Sequence, residues 1–285
     1  MVSIIICSRH SYLSKEMTEN ISSTIGIEYE IIIIDNSSNR YSIFEAYNLG
    51  VSRAIYPYLC FMHDDILYHT QDWGIKVINH FQRNIKLGLI GVVGGHYIPD
   101  TPSTWYSTDY CSGKILQGHK DGNGNYSVFE DKRKIVNNDY SIEVVAVDGL
   151  WFCIPKHLFD RISFDNKIFK GWHAYDIDIC LQIIEAGFEV RVIEDVLIEH
   201  SSYGNSGFGF YSEMKKFNKK WKRRLPIIRG IEITKDEQES AYLKTKEEFN
   251  YHYKRTFKFY RVYKQCCMYI SALKNRIRIK SNLKN

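Results

Sequence analysis

Through its first two hundred residues the chain alternates short β-branched runs with amphipathic stretches. Residues 2–7 form one such run, and residues 30–34 form a second that ends in Asp35-Asn36-Ser37-Ser38. Between them, residues 14–25 set polar Lys15, Glu16 and Glu19 against apolar Met17 and Ile21, the pattern of a helix lying on a sheet. Strand, helix and strand within about 35 residues predict a βαβ opening and hence a parallel sheet. A helix over 45–54, with Ala46, Leu49, Val51 and Ala54 apolar, precedes a third strand at 58–62 that ends in His63-Asp64-Asp65. A helix over 73–81 (Trp73, Val77, Ile78, Phe81) leads to a fourth strand at 89–93, closed by Gly94-Gly95.

Between residues 97 and 140 the alternation breaks down. Pro99, Pro102, the Asp-Gly-Asn-Gly-Asn segment at 121–125 and many Ser, Thr and Tyr predict a long excursion with hairpins, the kind of loop that carries function. Order resumes with a strand at 142–147, then Asp148-Gly149, the apolar 150–154 and a short helix near 157–159. Over 176–186, Ile177, Cys180, Leu181 and Ile184 make an i, i+3, i+4, i+7 stripe that Gly187 stops. Strands at 189–193 and 196–198 lead to Glu199-His200-Ser201-Ser202, and basic helices broken near Pro226 and Gly230 follow residue 211.

The 285 residues suit one large domain or two modest ones. A composition of 44% apolar and 25% charged residues excludes a disordered or fibrous chain. No apolar run reaches the ~18 residues a membrane span needs. The first ten residues lack the basic and apolar regions of a secretion signal, so a cytoplasmic chain is expected. Seven cysteines, an odd number without zinc-like spacing, are expected to be reduced structural thiols. Charge changes the picture more. Residues 215–285 carry 21 Lys/Arg against 6 Asp/Glu and residues 1–214 carry 17 against 27, so a +15 tail follows a −10 body. The tail points to an anionic partner, and a bound metal is one reason for the acidic body.

In an open parallel sheet, ligands bind at the carboxyl ends of strands. Cys7-Ser8-Arg9, Asp35-Asn36 and His63-Asp64-Asp65 all fall there. No G-x-G-x-x-G follows the first strand and no G-x-x-x-x-G-K-[ST] occurs, so dinucleotide and P-loop binding lack support. A diphosphate without a glycine cradle needs its charge balanced otherwise, and paired carboxylates holding Mg²⁺ or Mn²⁺ do this. Asp64-Asp65 fits that requirement, although two aspartates capping a turn would read the same way.

Together these segments carry a resemblance. Val2-Ser-Ile-Ile-Ile6, Ile32-Ile-Ile-Asp35-Asn36-Ser37, Asn48-x-Gly50 and Tyr58-Leu-x-Phe61-x-His63-Asp64-Asp65 resemble a family 2 glycosyltransferase of the GT-A fold. Val147-Asp148-Gly149 and Gly171-Trp172-His173-x-Tyr175-Asp176-x-Asp178-x-Cys180-Leu181 extend the match, which spans residues 1–205 and is nearest to the streptomycin-biosynthesis glycosyltransferase-like branch. The resemblance implies an α/β fold over residues 1–210, a Rossmann-like, mostly parallel twisted sheet flanked by helices. The 97–140 excursion would face the acceptor, and a basic helical extension would occupy 211–285. The implied activity is metal-dependent, inverting transfer of a sugar from a nucleotide-sugar donor, UDP favoured, to a glycan or lipid-linked acceptor in bacterial-type surface polysaccharide synthesis.

Residue by residue, the resemblance assigns Cys7, Arg9, Asp35 and Asn36 to the base and ribose, Asp64 to the ribose side, and Asp65 to a divalent cation, Mn or Mg. Many relatives carry a second Asp where Asn36 stands and an aromatic near Arg9; an amide still hydrogen-bonds a pyrimidine edge. Asp176 matches the general base of inverting members, which must reach the acceptor hydroxyl as the sugar carbon is attacked. An aspartate opening a helix is also a good cap. Tyr175 stands where many relatives have Glu, and Asp178, about 200° around the helix from Asp176, is expected in local hydrogen bonding. His200 corresponds to a histidine that completes the metal shell in several GT-A enzymes, with a structural histidine as the alternative. Asp148, Trp172 and His173 are expected to face sugar or acceptor, and residues 201–209 to form a lid.

The tail interleaves Lys/Arg with aromatics, as an interfacial helix on anionic lipid does. That reading makes the protein peripheral on the inner face of the membrane; a homo-oligomer contact is the alternative, and nucleic acid is disfavoured. Two other functions stand beside transfer. One is a non-catalytic GT-A domain that binds nucleotide sugar or glycan, which intact Asp65 and Asp176 oppose. The other is a nucleotidyltransferase, which a 7–12 segment without glycine opposes.

Overall fold

A mixed seven-stranded sheet forms the centre of the computed structural model, which describes residues 1–118, 126–130, 140–202 and 207–282. The first half of the chain supplies β1 (Val2–Ser8), α1 (Lys15–Thr24), β2 (Tyr29–Asp35), α2 (Ile43–Arg53), β3 (Tyr58–Met62), β4 (Ile66–Tyr68), α3 (Trp73–Arg83) and β5 (Leu87–Gly91). Short strands follow: β6 (Val93–Gly95), β7 (Tyr97–Ile98), β8 (Cys111–Gln117), β9 (Ser127–Glu130), β10 (Ser141–Glu143), β11 (Ala146–Val147) and β12 (Trp151–Pro155). The chain closes with α4 (Tyr175–Glu185), β13 (Glu189–Ile193), β14 (Ile198–His200), α5 (Phe208–Trp221), β15 (Ile227–Ile228) and α6 (Lys235–Asn282).

The central order is β10-β13-β5-β12-β3-β1-β2. β1 lies parallel between β2 and β3, as the βαβ opening requires. β2, β1, β3, β5 and β13 run in one direction, as the mostly parallel sheet expected from the sequence requires, while β12, between β3 and β5, and β10, beside β13, run against them. The reason is topological. A parallel return needs a crossover helix, but after β5 the chain makes the 97–140 excursion and re-enters from the carboxyl end of β3, where the His63 N–H donates to the Leu150 carbonyl. β12 is buried throughout, as an apolar strand with both faces covered must be.

Local chemistry sets the helix starts. Ser42 and Glu45 form a reciprocal capping box, which moves the start of α2 back from the expected 45 to Ile43. Two expected strands each divide between sheets: 89–93 into β5 and β6, and 142–147 into β10 and β11. Their apolar runs are continuous, so periodicity alone does not show where the chain changes sheet. The second sheet, ordered β11-β6-β8-β14-β4 with β9 on β8, is built on the excursion. The 121–125 turn and residues 203–206 of the expected lid lie outside the described residues.

The expected boundary at 210 falls inside α5. This helix buries Met214, Phe217 and Trp221 on one face, and β15 pairs with β7. Cys60, Cys153 and Cys180 are buried thiols among apolar neighbours. Among the described residues no helix is long and apolar enough to cross a membrane.

Candidate active site

Strand register assembles one end of the site. Pairing of β14 with β4 sets His200 against Ile66, next in sequence to Asp65, and pairing with β8 sets His200 against Gln117. His63 leaves β3 at the level where β12 begins. His63 Nδ1 faces His200 Nε2 at 3.3 Å, and Asp65 Oδ1 lies 3.5 Å from the same nitrogen. One ligand atom from each of His63, Asp65 and His200 lies within 4.8 Å of the others. Outer partners hold each group. His63 Nε2 is 3.0 Å from the Tyr175 hydroxyl, His200 Nδ1 is 3.3 Å from the Gln117 amide oxygen, and the Ser202 N–H donates to Asp65 Oδ2 at 3.0 Å. Burial and the adjacent His200 ring push the His63 pKa down, keeping its lone pair available. Two imidazole nitrogens and a carboxylate are a donor set that fits a divalent transition metal.

Asp176 forms the other end. Ala174, with φ at 71°, turns the chain into α4 and is itself the N-cap, so Asp176 is not the cap that its position suggested. Asp176 lies half-buried in a cleft of about 510 Å³ whose walls also carry His63, Asp148, Trp172, His173 and His200. Burial and the nearby Asp148 push its pKa up to about 7, against backbone N–H groups that pull it down. Asp148 is fixed by the Leu150 N–H at 2.8 Å and by the Trp105 indole N–H at 3.2 Å. Gly149 makes room beside it, because a Cβ there would sit 2.2 Å from the Tyr175 oxygen. Trp172 is exposed at the rim, and His173 packs edge-on against Phe210 with burial lowering its pKa.

Asp178 points elsewhere. It is 1% exposed and accepts from Lys220 Nζ at 2.9 Å, Trp221 Nε1 at 2.8 Å and Gln182 Nε2 at 2.8 Å, which pins α5 to α4. Breaking such a buried pair typically costs about 3–5 kcal/mol.

The residues expected to hold a nucleoside sit at the ends of β1, β2 and β3, outside the walls of that cleft. Asp64 is exposed and accepts from the Ser8 hydroxyl at 2.5 Å, tying β3 to β1. Arg9 and Asp35 are exposed, and the Ser37 N–H holds the Asp35 carboxyl below its ordinary range. Cys7 is half-buried, and burial raises its thiol to about 11. Asn36 is buried, and its amide both donates to the Tyr41 carbonyl at 2.8 Å and accepts from the Tyr41 N–H at 2.9 Å. Both polar atoms of the amide thus help shape the turn, and Nδ2 also lies 3.8 Å from the Cys7 sulfur.

Sequence reasoning does not single out Tyr175, Gln117, Trp105 or Phe210 as site-forming. Gln117 and Trp105 lie in the excursion, where no periodicity marks them, and their roles emerge only from pairing across the fold. The basic tail divides in two. Lys220, Lys222, Arg224 and Lys244 pair with Asp165, Asp100, Glu185 and Asp109 of the body. Farther along α6, Lys254, Arg255, Lys258 and Arg261 are exposed among exposed Tyr251, Phe257, Phe259 and Tyr263.

A model of the family described as "Glycosyltransferase like family" matches residues 3–224. No curated protein sequence matches significantly. Among solved structures, A197 from STIV is similar with a TM-score of 0.41 at 14% identity, over 71% of this chain and 86% of that one. GalNAc-T7 with UDP, GalNAc and Mn²⁺ gives a TM-score of 0.48 at 11% identity, over 88% and 56%. S. aureus TarS 1–349 gives 0.45 at 11% identity, over 86% and 70%.

Proposed function

Because the chain belongs to the glycosyltransferase-like family and its α/β body is of the GT-A type, we propose that it transfers a sugar from a nucleoside-diphosphate donor to a hydroxyl acceptor, with a divalent cation and inversion. One observation carries the reading: a single cleft is lined by His63 and His200, two of the three clustered cation donors, and by a carboxyl with a pKa of about 7. Asp65 and His200 would hold the cation, which would supply positive charge to balance the leaving diphosphate. Asp64 and the exposed ends of β1 and β2, with Cys7, Arg9 and Asp35, bind the nucleoside, and uridine is the favoured base. Asp176 takes the acceptor proton, and burial together with the nearby Asp148 keeps its pKa near the working pH, where a general base is most effective. Trp172 and His173 guide the acceptor at the rim, beside the aromatic wall that Trp105 and Phe210 supply.

The acceptor we favour is a glycan or lipid-linked hydroxyl of the kind used in bacterial surface polysaccharide synthesis. The exposed basic and aromatic stretch of α6 supports a peripheral position on anionic lipid.

Calorimetric titration of UDP, GDP and dTDP, with and without Mn²⁺, tests the core of this reading on wild type and Asp65→Asn. One nucleotide should bind in a metal-dependent way, and the variant should lose that binding. Absence of binding by all three under every condition would overturn the proposal.

A further inference from the structure

The cation end of the cleft contains more than the two ligands assigned above, and the role of the additional group rests on the metal-dependent reading. His63 and His200 turn nitrogen toward nitrogen at 3.3 Å, with the Asp65 carboxylate beside them. Their opposite nitrogens are both occupied, by Tyr175 for His63 and by Gln117 for His200. A metal-binding histidine typically donates its other N–H to an oxygen, which fixes the tautomer and aims the bare nitrogen at the ion. The tautomers protonated at His63 Nε2 and His200 Nδ1 give both rings this arrangement, with the Tyr175 oxygen and Gln117 Oε1 as acceptors; Gln117 Nε2 lies at the same 3.3 Å from His200 Nδ1. The Tyr175 phenol has little freedom to leave. Its ring is buried, stands edge-on to Phe44 and Tyr47, and its oxygen fills the space that a side chain at Gly149 would take.

We propose that His63 is a third protein ligand of the cation through Nδ1, and that Tyr175 is its positioning residue. The cation then sees two imidazoles and one carboxylate. Imidazole donors favour first-row transition ions, of which Mn²⁺ is the weakest binder, over Mg²⁺, which demands oxygen ligands. The site therefore selects Mn²⁺ over Mg²⁺, and His63 supplies part of that selectivity.

Mn²⁺ binding to the full-length protein, alone and with UDP, is followed by loss of the free-ion signal in electron paramagnetic resonance. Pulsed spectra then count the coupled imidazole nitrogens. Wild type should show two imidazoles, and His63→Gln one. His63→Asp should keep Mn²⁺ bound with one imidazole and let Mg²⁺ compete better. Tyr175→Phe should weaken Mn²⁺ by roughly 10-fold, the usual scale for an outer partner of a ligand. Thermal unfolding of each variant separates lost metal from lost fold. One imidazole in wild type, or unchanged couplings and affinity in His63→Gln and His63→Asp, overturns the inference. If Asp65→Asn still abolishes binding in that case, the broader metal-dependent reading stands. No Mn²⁺ bound by wild type in either arm overturns both.

Discussion

His63 and His200 line the cleft and converge with Asp65, each group held from behind by Tyr175, the Ser202 N–H or Gln117. Asp176 and the nearby Asp148 line the same cleft, and no Lys or Arg is among the described residues lining it to offset them. The first arrangement is oriented for a charge that arrives from outside. The second is tuned by burial first and by the neighbouring Asp148 second, so that Asp176 exchanges a proton near neutral pH. On the proposed reading acidic residues of the same body serve two purposes, and the difference lies in which partners surround each carboxylate.

Removing the proton acceptor should break this division most severely. Asp176→Asn is expected to lower the transfer rate by about 10²–10⁴-fold while nucleotide and metal titrations stay at wild-type values. Transfer at the wild-type rate would show that the base lies elsewhere. A subtler perturbation sharpens the comparison. Transfer must rise with pH through about 7 as Asp176 ionises and then level off, and Asp148→Asn, by removing one source of repulsion, moves that rise to lower pH. The stability effect has the reverse sign from a salt-bridged aspartate. A carboxyl whose folded pKa is raised costs nothing below its unfolded value near 3.8 and destabilises the fold progressively as pH climbs toward about 7. Denaturant unfolding at pH 5 and pH 8 should show this dependence in wild type and lose it in Asp176→Asn. The smallest effect on either end should come from α6. Replacing Lys254, Arg255, Lys258 and Arg261 by Glu should abolish sedimentation with anionic vesicles, at about 1 kcal/mol of lipid attraction per charge, and leave nucleotide binding unchanged. Vesicle binding that survives the reversal would leave α6 without a lipid role.

How far the sequence foretells this depends on the range over which each signal acts. β1, β2, β3 and the helices α1 to α4 follow from periodicity and caps, which operate within a few residues. The direction of β12 does not, because it is decided by where a long excursion returns the chain. α5 reads as part of the tail because Lys215, Lys216, Lys219 and Lys220 surround its apolar stripe of Met214, Phe217 and Trp221. Helical geometry does separate Asp176 from Asp178, and the structure gives the second to Lys220 and Trp221. The outer partners of the cation donors are not legible, since Gln117, Ser202 and Tyr175 reach them through three different pairings.

The insertion of β12 between β3 and β5 has a consequence for how the chain is made. Until residues 151–155 leave the ribosome, two apolar strands of the future centre each have a bare edge, the kind of surface that recruits other chains. A product truncated near residue 145 keeps both edges open. Any attempt to divide this protein into two co-expressed fragments must therefore keep β3, β5 and β12 on the same piece.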